Sequence, residues 1–219
     1  MAEVKALARA LIGFETYDTE PSALLQFVQD GERVIGQAIM DANPWVFTQS
    51  TIINVTTPSK QFSLAAYNPA KILTVGQASS GSETYQWIPA LQPVEVMSQS
   101  PDAGGYNQPY SQGWAYVPNY LQFSENVPAG YDILVLYSAF PAISTLDADI
   151  LFGGNSLLVP YHYLVAYHAA IAMAIVRDTN PAALVALHQT NLERVTTALK
   201  DLQVQAVTHI PQFNGRANW

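Results

Sequence analysis

The chain has 219 residues, of which 49% are hydrophobic and 12% are charged, with no Cys and a formal net charge of −8. This length can fold around its own core, and the lack of Cys excludes a disulfide scaffold and thiolate metal sites. Net acidity opposes binding to phosphate backbones, so a nucleic-acid reader is not expected. The polar surface must consist largely of uncharged side chains, which are easier to desolvate in repeated subunit contacts.

Two helices are predicted at the N-terminus. Residues 2–13 have apolar side chains at helical spacing. A signal peptide needs a continuous apolar core, which Glu3 and Arg9 break here. A second helix has Pro21 in its first turn and ends near Asn43, which precedes a proline. Its apolar stripe consists of Leu24, Val28, Ile35 and Ile39.

From residue 45 the period changes to short β-branched and aromatic segments separated by Pro, Gly and Asn, which is typical of strands. Their spacing predicts a β-sandwich or a small barrel. The predicted strands are WVFTQSTIINVTT, QFSLA, KILTVG, TYQWIPAL, VEVMS, GWAYV, YLQFS and YDILVLY. Residues 98–112 are rich in turn formers and predict a long exposed loop.

No charged residue lies between Asp149 and Arg177, so this stretch must be buried inside the subunit or against other copies. We predict a helix over 158–178, kept dry by sister copies, rather than a membrane span, because glycines, Pro160 and two histidines interrupt it. A last helix follows the cap Asn180-Pro181. Its predicted apolar face consists of Leu184, Leu187, Leu192, Val195, Leu199 and Leu202.

These elements predict an α+β fold. An antiparallel helical bundle would be built from N- and C-terminal helix pairs, residues 1–44 and 151–203. Residues 45–150 would form an inserted β-sandwich or barrel-like module, and residues 204–219 an extended C-terminal tail.

The pattern predicts no catalytic, cofactor or metal site. His162 and His168 are six residues apart and would not share a helix face, and we interpret them, with His188 and His209, as satisfied core or interface histidines. Asp147 and Asp149 lack a basic partner nearby and favour a turn or cap role.

Aromatic residues in the loop and tail are the predicted partner-binding residues. Tyr and Trp among Gln, Asn and Pro are a mixture that protein interfaces and sugar platforms favour. A large ring in a free tail gains nothing from staying in water, so the tail is expected to dock on a partner. The predicted residues are Tyr106 and Tyr110 in the loop, and Phe213, Arg216 and Trp219 in the tail.

The order of segments resembles the head-to-tail connector (adaptor) proteins of tailed bacteriophages. The matching stretches are ALLQFVQDGERVIGQAIM followed by NPWVF, then QFSLA and AKILTV, then WAYVPNYLQFSENVPAGYDILVLYSAFPAIST, and finally VPYHYLVAYHAAIAMAIVRDTNPAALVALHQTNLERV.

The resemblance implies a structural virion protein, assembled in the host cytoplasm, rather than an enzyme. It implies a homo-oligomeric ring of about twelve copies beneath the portal protein that receives tail or nozzle proteins. The genome would pass through the lumen without specific binding, and no membrane is involved.

Two other classes stay open. A tail or fibre binding module would hold a glycan on Tyr106, Tyr110 and Trp114. A hydrolase would use Asp147 and Asp149 as its paired carboxylates.

Overall fold

A computed structural model describes residues 1–13, 21–93, 113–146 and 148–208, with side chains described for 1–13, 23–93, 113–146 and 148–202. Within these ranges the fold is α+β, with four α-helices and two antiparallel sheets. The helices are α1 Ala2–Leu11, α2 Pro21–Ala42, α3 His162–Val176 and α4 Ala182–Thr208. The strands are β1 Thr48–Val55, β2 Ser59–Ser63, β3 Lys71–Ser79, β4 Gln86–Ile88, β5 Trp114–Val117, β6 Tyr120–Val127 and β7 Tyr131–Ser138.

Internal contacts divide the chain into two units. The helical unit consists of Met1–Val46 and Pro141–Trp219, and the β unit is Phe47–Phe140. The β unit is therefore an insertion between the second and third helices of the chain.

In the helical unit, α2 places its predicted apolar stripe in the core. Leu24, Val28, Ile35 and Ile39 are fully buried. The helix ends at Ala42, as expected from the restricted backbone of a residue before proline. Both the stripe and the helix end are confirmed.

The charge-free helix α3 is partly covered by this chain itself. It contacts α1, α2 and α4. Its buried residues are Leu164, Val165, Ala166, Ala169, Ala170, Met173 and Ala174. Seven of its fifteen residues are thus buried by its own subunit, whereas Ile175 and Val176 near its C-terminal end are 62% and 72% exposed. That sister copies cover this exposed part stays a prediction.

Helix α3 begins at His162 rather than at residue 158. Pro160 lies in a preceding 3₁₀ segment, Ser156–Tyr161, because proline has no N–H and its ring clashes with the preceding helical turn. Length and composition alone would allow one described stretch, Ser156–Val176, to cross a membrane.

On α4 the predicted apolar face is only partly buried. Val195 and Leu199 lie in the core, whereas Leu187 and Leu202 are exposed. Asn180 caps the start of the helix as predicted, because its Oδ1 accepts from the Ala182 N–H at 2.9 Å.

The β unit has two sheets, with strand orders β1-β7-β3-β4 and β2-β6-β5. A single parallel bridge joins Ala90, two residues after the end of β4, to Trp114, the first residue of β5. Among the described residues no ladder joins β1 to β2, so the strands do not close on themselves. The barrel-like alternative is therefore wrong.

Both sheets contribute to one hydrophobic cluster inside the β unit. Leu121 and Phe123 of β6 meet Ile133 and Val135 of β7, and all four are fully buried. Each predicted strand overlaps an observed strand except VEVMS, which lies outside the described residues, as does the whole predicted loop at 98–112. Residues 45–47 of the first predicted strand belong instead to a 3₁₀ helix, Pro44–Phe47.

Candidate functional site: an interaction surface on the helical unit

The connecting segment, residues 141–161, leads into α3 and is anchored by a buried glutamate. Glu32 on α2 is fully buried. The Ser144 N–H and hydroxyl donate to its carboxyl oxygens at 2.9 and 3.1 Å, and the Phe152 N–H donates at 2.6 Å. One side chain therefore holds the segment at two points that are eight residues apart.

Further hydrogen bonds hold the segment at Ser144, Asp149 and Asn155. Gln29 Nε2 donates to the Ser144 carbonyl at 3.0 Å, and Asn155 Nδ2 donates to the Val46 carbonyl at 2.7 Å. The N-terminal amine of Met1 donates to the Asp149 carbonyl at 2.8 Å. The segment has little regular secondary structure, yet its backbone is pinned along its length.

Asp149 closes a turn within this segment. One carboxyl oxygen accepts from the N–H groups of Leu146 and Thr145, both at 2.7 Å. These two backbone hydrogen bonds hold the pKa of the Asp149 carboxyl below its ordinary value. The predicted turn role of Asp149 is confirmed, and Asp147 lies outside the described residues.

The segment reverses direction at three consecutive residues with left-handed backbone. Phe152, Gly153 and Gly154 have φ of 56°, 64° and 76°. The phenylalanine is buried, and its ring lies 5.8 Å from the ring of His162. Burial of this ring and the hydrogen bond to Glu32 together hold a conformation that a non-glycine residue rarely adopts.

This pinned segment presents apolar side chains to water. Leu146 is 65% exposed, Ile150 58%, Leu157 68% and Val159 51%. No Lys, Arg or Glu occurs in residues 141–161. A firmly held, weakly charged segment that exposes large aliphatic side chains is suited to contact an apolar surface of another protein.

Two histidines meet in the core where α2, α3 and α4 pack. The rings of His168 and His188 are 6.0 Å apart, edge to face. His168 packs on Gly31 of α2, where an added Cβ would lie 3.2 Å from the His168 Cβ. Burial lowers the pKa of both imidazoles, and Asp30 partly opposes this at His168.

The predicted core position is confirmed for His188, which is buried, whereas His162 and His168 are half-buried. The predicted hydrogen bonding is not confirmed. His162 Nε2 and His188 Nδ1 are buried without a hydrogen-bond partner. Within the described ranges, no three potential ligand side chains come together to hold a metal ion. His209 lies outside those ranges.

The predicted partner-binding residues of the loop and tail lie outside the described residues. These are Tyr106, Tyr110, Phe213, Arg216 and Trp219. Trp114, which the glycan alternative also needs, is buried in the β-unit core, and its Nε1 donates to the Ile88 carbonyl at 2.9 Å. Trp114 is therefore a core residue and not part of a sugar platform.

Sequence reasoning missed Glu32, although a signal for it was present. Position 32 follows Val28 by four residues and precedes Ile35 by three, so it falls on the apolar stripe of α2. A lone carboxylic acid on a core stripe needs internal hydrogen-bond donors.

A model of the SU10 adaptor protein family matches residues 1–214 of the chain. The chain belongs to this family. It is a family of phage head-to-tail adaptors, so the family resemblance seen in the sequence is confirmed. A search of curated proteins found no match.

For an SU10-family adaptor, the relevant chemistry is contact with other proteins. Family membership implies a structural component of the phage virion that interacts with other virion components. In this adaptor the connecting segment, held by Glu32, is the candidate surface for such a contact.

Proposed function

We propose that this adaptor forms a homo-oligomeric ring between the portal protein and the tail or nozzle proteins, and that the genome passes through the ring. Family membership supports the placement at the head-to-tail junction. The contact is inferred from the connecting segment, in which four aliphatic side chains are more than half exposed.

The exposed side chains favour association because burying them releases water from apolar surface. Burial of a Leu, Ile or Val side chain is worth roughly 1.5–3 kcal/mol relative to full exposure. Since the segment is already pinned by Glu32 and Asn155, little further ordering opposes binding. The segment exposes four large aliphatic side chains, whereas α3 exposes two, Ile175 and Val176 near its C-terminal end, so we assign the larger share of the ring contact to the segment.

The acidic chain suits a lumen that DNA crosses without adhering. With nine Lys and Arg against seventeen Asp and Glu, counterion release gives little affinity for a phosphate backbone. The proposed role needs no reaction and no cofactor. The ring would number about twelve copies and assemble in the host cytoplasm before entering the virion.

The loop and tail are proposed to dock on neighbouring proteins through Tyr106 and Tyr110, and through Phe213, Arg216 and Trp219. Because α4 extends to Thr208, the tail is tested with a chain that lacks residues 209–219, which should fold but bind portal-containing particles at least tenfold more weakly. Unchanged assembly of the truncated chain would refute this part of the proposal.

The connecting segment is tested by Leu157→Glu, which places a charge on its most exposed aliphatic position. The matched control is Val34→Glu, because Val34 is an exposed aliphatic residue on α2, at 49%. Sedimentation of each purified chain with portal protein, and DNA retention in particles that carry each variant, are the two measurements.

The expected result is at least a tenfold loss of portal-bound ring for Leu157→Glu, with the Val34→Glu chain close to wild type. Wild-type assembly by Leu157→Glu would remove the connecting segment from the contact. A wild-type chain that stays monomeric in the presence of portal protein would overturn the ring itself.

A further inference from the structure

Strand β1 forms an outer edge of its sheet and carries none of the devices that usually protect an edge. In the part of the chain that the structure describes, it pairs with β7 alone. Its sequence, TQSTIINV, contains no charge and no proline, and its register with β7 is continuous over eight residues. Natural edge strands are usually shortened, bulged, charged or covered, because a bare edge recruits another strand.

The hydrogen-bond phase identifies which backbone groups face outward. The Ala139 N–H donates to the Phe47 carbonyl, so this pair is a hydrogen-bonded one. Pairs alternate along an antiparallel ladder, so odd positions from 49 to 55 bond to β7 and even positions point away from it. Ser50, Ile52 and Asn54 therefore direct their N–H and C=O groups to the outer edge.

The side chains around this edge are exposed and mostly uncharged. Ser50 and Asn54 are exposed, and Ile52 is 52% exposed on the sheet face opposite the core. The Asn54 side chain donates to Asp132 of β7 at 2.7 Å, while the alternation of the ladder directs its backbone groups away from β7. The edge offers both a hydrogen-bonding template and an aliphatic contact.

Strand β2, an edge strand of the three-stranded sheet, is protected by comparison. It has five residues, and its register with β6 shifts between Ser59 and Gln61. The Ser59 hydroxyl donates to the Gln61 carbonyl at 2.9 Å and accepts from the Gln61 N–H at 3.1 Å, so both backbone groups of Gln61 are satisfied locally. Among the described edge strands, β2 is therefore blunted, whereas β1 is not.

We propose that the outer edge of β1 binds an extended segment of a different virion protein, which adds to the sheet as a strand. The segment has about five residues, no charge, and an apolar side chain opposite Ile52, because the edge itself offers uncharged groups and one half-exposed aliphatic side chain. This inference rests on the proposed ring.

The ring argues against a second copy as the occupant. Pairing of β1 with β1 of another copy is two-fold and closes a dimer, whereas neighbours in a ring contact each other through unlike surfaces. Of the other edge strands in the described chain, β2 is blunted, and β4 and β5 have only three and four residues, so none offers an edge as long as that of β1. In a ring the β1 edge therefore stays available for another protein.

The test uses the full-length chain with Ser50→Pro. Proline removes an outward N–H and blocks an added strand, while the ladder to β7 does not use the Ser50 N–H. Ser50→Ala, which keeps the backbone N–H, is the matched control, and Ile52→Lys is a second variant that keeps the backbone and charges the edge. Circular dichroism verifies that each variant folds.

Two measurements are made on wild-type and variant chains. Amide hydrogen exchange compares β1 in the purified chain with β1 in intact particles, and mass spectrometry gives the copy number of every virion protein in particles that carry each variant. In wild-type particles we expect the Ser50, Ile52 and Asn54 amides to gain at least tenfold protection. Particles with Ser50→Pro or Ile52→Lys should keep portal and adaptor at wild-type ratio and lose another virion protein at least tenfold.

Three results would overturn the inference. The first is a full protein complement in Ser50→Pro and Ile52→Lys particles. The second is an oligomer of the purified chain that both variants convert to monomer, because the edge would then pair two copies. The third is absence of the wild-type and Ser50→Ala chains from portal-containing particles, which identifies failure of the proposed function instead of failure at the edge alone.

Discussion

Replacing Glu32 by Ala is expected to lower the free energy of unfolding of the helical unit by about 2–6 kcal/mol, since two buried donors lose their acceptor at roughly 1–3 kcal/mol each. The donors are the N–H groups of Ser144 and Phe152, at 2.9 and 2.6 Å from the carboxyl oxygens. The Ser144 hydroxyl adds little, because it can turn to the Ile150 carbonyl at 3.4 Å.

Urea unfolding followed by circular dichroism at 222 nm measures this change, because the signal reports mainly on the helices. Glu32→Gln keeps one acceptor oxygen and should lose about half as much stability. Glu193→Ala, at an exposed glutamate on α4, should stay within about 0.5 kcal/mol of wild type. A loss below about 1 kcal/mol for Glu32→Ala would refute the view that this residue anchors the connecting segment.

Two further predictions concern protonation and backbone strain. Burial lowers the pKa of His168 and His188 below their ordinary 6.5, so the unfolded chain binds more protons near that pH, and stability present above it should be lost as the pH falls. The urea midpoint should therefore drop between about pH 7 and pH 5, and His188→Gln should make this dependence of the midpoint on pH weaker. An equally strong dependence in the variant would contradict the view that His188 contributes to it. Gly154→Ala should destabilise by about 1–2 kcal/mol in thermal melts, because its φ of +76° is left-handed but the space is open. Gly153→Ala should destabilise more, since its added methyl would lie 3.0 Å from the Pro141 Cβ, and equal losses would show that Pro141 moves aside.

Local pattern was enough to predict the strands and the stripe of α2. Alternating β-branched residues located β3 and β7, and helical spacing placed Leu24 and Ile39 in the core. Both signals depend on neighbours within a few residues, which the sequence displays directly.

Longer-range features were not accessible in this way. Barrel closure depends on which distant strands pair, and nothing local distinguishes β1 as an edge from β1 as a partner of β2. An all-apolar helix such as α3 has the same composition whether its own subunit or another copy covers it. The hydrogen-bond donors to Glu32 lie 112 and 120 residues further along the chain, so their convergence appears only in the fold.

The two ends of the β unit meet each other. The Ala139 N–H bonds to the Phe47 carbonyl, and the rings of Phe47 and Phe140 stack with centroids 6.0 Å apart. A domain whose ends coincide can be lengthened, exchanged or removed in evolution while the flanking helices keep their places. The β unit thus joins the helical unit through one pair of adjacent chain ends, so an insertion or deletion inside it leaves the spacing of its two attachment points unchanged.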